Sequence, residues 1–191
     1  MTVLPALDFS WLPAEWPGAQ QALVITLGRL LLSLGLGLGG GALLAGVMRR
    51  SPRVEAVMTP WLLTLLAIPW VLILIAMNLI PSLGVRGGTA ITVAALSSGV
   101  QVFALGRRTL EERRSAYLSR ALWYAFVAVV ASELLSRADG LGAKVRFFAL
   151  YTEYSHLLFY VVLAALVALG FAAVGRLLGH LLPRTFLGRS P

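Results

Sequence analysis

Five apolar stretches separated by short connections constrain this chain more than any other feature: roughly residues 20–48, 57–80, 88–105, 119–135 and 154–182. A hydrocarbon core about 30 Å thick needs about 20 apolar residues per helical crossing. The 191 residues therefore leave no room for a sizeable soluble domain beside five such stretches. The composition agrees: 59% of residues are hydrophobic and 13% charged, where an ordinary soluble domain carries roughly 25% charge. The expected fold class is an all-α integral membrane protein with about five transmembrane helices.

The basic residues give the direction of threading. With the amino terminus outside, the cytoplasmic face receives Arg49, Arg50, Arg53, Arg107, Arg108, Arg113, Arg114, Arg120, Arg176, Arg184 and Arg189. The opposite face receives only Arg86, Arg137, Lys144 and Arg146. Membrane proteins hold Lys and Arg in cytoplasmic loops, so the asymmetry places the amino terminus outside and the carboxyl terminus inside. The expected organisation is an extracytoplasmic segment at 1–19, a transmembrane domain at 20–183 and a cytoplasmic tail at 184–191. Trp11 and Trp16 suit the bilayer interface.

The same argument accounts for the formal charge of +8 without nucleic acid, for which no binding module is present. Cys is absent, which excludes disulfides, thiolate metal sites and Cys nucleophiles. His156 and His180 fall on opposite sides of the membrane in this topology and share no metal. No Gly-rich loop ends in Lys and Ser or Thr, so the chain has no nucleotide site of the P-loop kind. Neither an enzyme active site nor a cofactor is expected.

Within the spans, a few residues stand out. Gly35, Gly37, Gly39, Gly40, Gly41 and Gly46 crowd the first span, and either Gly35 with Gly39 or Gly37 with Gly41 puts two small residues on one face for close helix packing. Arg29 lies inside that span, where a lone Arg costs roughly 2.5 to 3.5 kcal/mol on insertion scales. Snorkelling to the interface, structural pairing and a polar pathway are the three readings. Pro60 and Pro69 fall in the second span, and Pro69, at its middle, removes a helical hydrogen bond and predicts a kink. Ser97, Ser98 and Gln101 form part of a polar cluster in the third span. Glu133 stands in the fourth, where an intramembrane carboxylate is a site candidate, with Arg29 as one partner, or else a structural hydrogen-bonding group. The connection SRADGLGAKVRFFALYTEYS suits a half-buried hairpin or re-entrant segment.

The ordered pieces TLGRLLLSLGLGLGGGALLAGVMRRSPRVEAVMTPWLLTLLAIPW and SELLSRADGLGAKV, followed by a last long span ending in basic residues, resemble the permease subunits of binding-protein-dependent ABC importers of the sulfonate, taurine and nitrate type. The resemblance covers roughly residues 20–183. It implies a type I ABC importer permease-like core in a bacterial inner membrane. The implied partners are a second permease subunit, a cytoplasmic ABC ATPase and an extracytoplasmic solute-binding protein. Arg29, the glycine series, Pro60, Pro69, Glu133, Gly140 and Gly142 match recurrent positions of the family, none of them catalytic.

One departure bears on mechanism. The family's long loop between the third and fourth core helices, with its Glu-Ala-Ala start, later Gly and Leu-Pro end, docks into the ATPase. This chain has only GRRTLEERRSAYLSRALWY there, shorter by about 20 to 30 residues, the length of a short amphipathic helix with turns. Three explanations follow: Thr109, Leu110, Glu111, Glu112, Arg113 and Arg114 form a reduced coupling helix; a complete permease partner does the coupling; or the chain serves as a non-transporting scaffold or regulatory subunit. The second is favoured. A self-contained secondary transporter using Arg29 and Glu133 ranks last, because the spans show no inverted repeat.

Overall fold

The computed structural model describes residues 8–80, 86–105, 114–135 and 139–181. These form seven helices: α1 Leu12–Arg50, α2 Pro52–Ala67, α3 Trp70–Leu79, α4 Gly87–Leu105, α5 Arg114–Leu135, α6 Leu141–Leu150 and α7 Tyr154–Leu181. No strand occurs among the described residues. Three helices are long and apolar enough to cross a membrane, namely α1, α5 and α7, and a fourth crossing results if α2 and α3 count as one bent span.

The chain changes direction where the sequence forces it to. Ser51 precedes Pro52, and the proline ring drives the preceding residue into extended backbone. Ser51 accordingly sits at φ −138° and ψ 109°. Its hydroxyl accepts from the Val54 N–H, capping α2. The basic connection between the first two spans is thus a one-residue corner, with α1 running through Arg50. At its other end α1 begins at Leu12, eight residues before the expected start of the span at 20, with Pro13 in its first turn and Glu15 complementing the helix dipole.

Pro60 is accommodated inside α2, but Pro69 ends it: Ile68 and Pro69 adopt extended backbone and α3 leaves at 72° to α2. The predicted kink is a full break.

The core lies between α1, α4 and α5, with Leu74 of α3 and Ala168 of α7 completing it. Small side chains such as Ala94, Ala125 and Ala128 let these helices approach closely. The α1–α4 crossing is closer still, because a Cβ at Gly37 would overlap the Ser98 hydroxyl and the Ala95 carbonyl, and one at Gly41 would overlap the Gly99 carbonyl. Of the two glycine faces the sequence offers, Gly37–Gly41 makes this crossing, whereas Gly35 and Gly39 face open space.

Outward, the helices are apolar. Leu31, Leu36 and Leu43 on α1 and Leu166 and Leu169 on α7 are exposed, and the most hydrophobic window of α7 is only 11% buried. Apolar surface on this scale has a matching solvent in lipid rather than water.

Candidate functional site

Among the described residues, Glu133 is the one buried acid, 1% exposed. Its carboxylate, on α5, receives three donors from two other helices. Thr26 Oγ1 donates to Oε2 at 2.8 Å and Arg29 Nη1 to Oε1 at 2.9 Å, both from α1. The Gly142 N–H, in the first turn of α6, donates to Oε2 at 3.2 Å. Thr26 also accepts from the Leu141 N–H at 2.9 Å, and Arg29 reaches on to the Asp139 carbonyl.

Each partner has a reason to be where it is. Thr26 and Arg29 are three residues apart and share one face of α1. The start of a helix leaves amide donors without intrahelical partners and carries partial positive charge, so a carboxylate is stabilised there. Gly140 makes the approach possible: its φ is +119°, a region that favours glycine, and a Cβ would overlap the Glu133 carboxylate. A Cβ at Gly142 would overlap the Val130 carbonyl. The connection expected as a hairpin or re-entrant segment contains α6, a ten-residue helix whose start is fastened to α1 and α5 through these contacts.

A second cluster fixes the other side of α6. Glu15 Oε1 accepts from Lys144 Nζ at 2.6 Å and from the Tyr160 hydroxyl at 2.7 Å, joining α1, α6 and α7. The His156 ring stacks on Trp11 at 3.6 Å and on Phe148 at 4.6 Å, and its Nδ1 lies 3.1 Å from Glu153. Trp11, expected at the bilayer interface, thus has a specific ring partner. Ahead of α1, the Ser10 N–H and hydroxyl both donate to Asp8 and hold its carboxyl below the usual range.

Of the candidates read from sequence, Arg29 and Glu133 meet. Ser97 and Ser98 are buried, and each donates to the Ala94 carbonyl of its own helix, Ser98 at the α1–α4 crossing. Gln101 lies elsewhere again, lining a cleft at the Pro69 break. The five path candidates therefore do not converge on one site. Thr109, Leu110, Glu111, Glu112 and Arg113 lie outside the described residues, and Arg114 is described only as the first residue of α5. Thr26 is the member of the cluster that sequence reasoning left out of the candidates. Its one signal was its place beside Arg29 at the head of the glycine-rich stretch.

His156 and His180 stand near opposite ends of α7, and no group of three metal-ligating side chains occurs among the described residues. Comparison with family models, curated proteins and solved structures gives no match.

Proposed function

We propose that this chain is the membrane subunit of an ATP-driven ABC importer for a small solute, working beside a complete permease that couples to the ATPase. In this reading α4 is a further crossing, which brings the number to five, and the α6 end of the bundle faces outward toward a solute-binding protein. The observation that carries it is the meeting of the two sequence pieces on which the family resemblance rests. Arg29 and Glu133, 104 positions apart, form one buried ion pair closed over the Gly140–Gly142 turn. Pieces that match in order along the chain are thus parts of one structural unit. In this account the pair is a fastening: Arg29 and Glu133 position α6 against α1 and α5 and do not contact solute.

Co-purification tests the reading. A tagged chain extracted in mild detergent is expected to bring down an ABC ATPase and a second, longer permease. Recovery of the chain with neither contradicts it.

The full engagement of Glu133 and Arg29 with each other, together with the shortened loop at 106–113, also favours a second reading, a non-transporting scaffold of the same fold. Replacing Glu111 and Glu112 by Ala separates the two roles of the loop. Loss of solute-stimulated ATP hydrolysis in the assembled complex identifies a reduced coupling helix, and unchanged hydrolysis indicates coupling through the partner or a scaffold.

A further inference from the structure

The break at Pro69 opens a cleft of about 360 Å³ between the α2–α3 corner, α4 and α5. Its lining carries no charged side chain. The end of α2 and the start of the ten-residue α3 both border it through Leu66–Val71, and helix ends present carbonyls and amides without intrahelical partners. Trp70, Trp123 and Tyr124 supply aromatic walls.

Gln101 supplies the independent observation. Its side chain is 7% exposed, it borders the cleft, and its amide has no hydrogen-bond partner among the described residues. A buried primary amide without a partner is costly to retain in a structure. Here it is held beside a space large enough for a small molecule.

We propose that this cleft binds a small, uncharged solute with a flat ring and an amide-like edge, read by Gln101 and stacked against Trp70, Trp123 and Tyr124. The donor–acceptor pair of Gln101 matches one donor and one acceptor on the same edge of a ligand. The aromatic walls favour a planar ring over a branched aliphatic body. An ionic ligand is disfavoured because nothing in the lining neutralises it. The site belongs to this chain alone and does not depend on the importer reading: failure to recover an ATPase leaves it standing, and failure to bind solute here leaves the assembly standing.

Isothermal titration calorimetry on the full chain in lipid nanodiscs tests it, with nicotinamide as probe, a neutral ring bearing a primary amide. Nicotinate, the anionic counterpart, and choline, a cation that aromatic walls alone would attract, are the comparisons. Saturable nicotinamide binding is expected, at least about tenfold tighter than either. Gln101→Leu is expected to weaken it at least about tenfold, and Gln101→Asn to retain part of it. Trp123→Leu serves as a second variant, since Trp123 is 43% exposed and its truncation spares the core. It too is expected to weaken binding. Absence of saturable nicotinamide binding, as for a cleft filled by water only, overturns the proposal. So does choline or nicotinate binding as tightly, or unchanged affinity in both Gln101→Leu and Trp123→Leu.

Discussion

At the scale of single residues, the Thr26–Arg29–Glu133 cluster sets the largest expected effects. Removing one member of a buried ion pair strands the other, at a cost of about 3–5 kcal/mol. Glu133→Ala and Arg29→Ala are each expected to lower stability by about that much, toward the lower figure for the former because the Arg29 it strands is less deeply buried than Glu133. The double variant should lose less than the sum, since each single change already breaks the shared contact. Thermal unfolding in nanodiscs reads all three, and strictly additive losses would show that the pair does not couple. Gly140→Ala is expected to destabilise as well, through both its positive φ and its overlap with the carboxylate. Arg29 and Glu133 were legible in the sequence because lone charges inside apolar runs are conspicuous. Thr26 was not, since a hydroxyl in a helix ordinarily bonds its own backbone. Its role depends on α6 amides that only the fold brings to it.

Among the elements, the glycine face of α1 gives the sharpest contrast. Gly41→Ala pushes a methyl group into the Gly99 carbonyl and is expected to separate α1 from α4. Gly39→Ala meets open space and should be neutral or gain up to about 1 kcal/mol from helix propensity. Equal effects of the two substitutions in the same unfolding assay would contradict the crossing described here. The glycine spacing restricted packing to two faces, and the choice between them depended on where Ser98 and Gly99 of α4 fall, which no local pattern encodes. Pro69 announced a kink, while its size follows from both Ile68 and Pro69 leaving helical backbone. The helical character of α6 was hidden by its shortness and by Lys144 and Arg146. It forms where Glu133 and Thr26 satisfy its first amides.

For the whole molecule, the all-helical class was legible because apolar stretches of span length leave little alternative to helix in a membrane. The helices are less uniform than the hydropathy suggested, with the second apolar stretch broken at Pro69 into α2 and α3 and α6 added as a further short helix. The absence of Cys makes the proposed threading directly measurable. Tyr151→Cys, exposed beside α6, is expected to react with an impermeant maleimide added outside intact cells, and Arg50→Cys only after the membrane is opened. The reverse pattern would invert the topology. Assembly is the central claim, and native mass spectrometry of the complex released from lipid nanodiscs measures it most directly. The account predicts one 20.5 kDa chain bound to a larger permease and ATP-binding subunits; a spectrum showing this chain alone, or only multiples of its own mass, would contradict it.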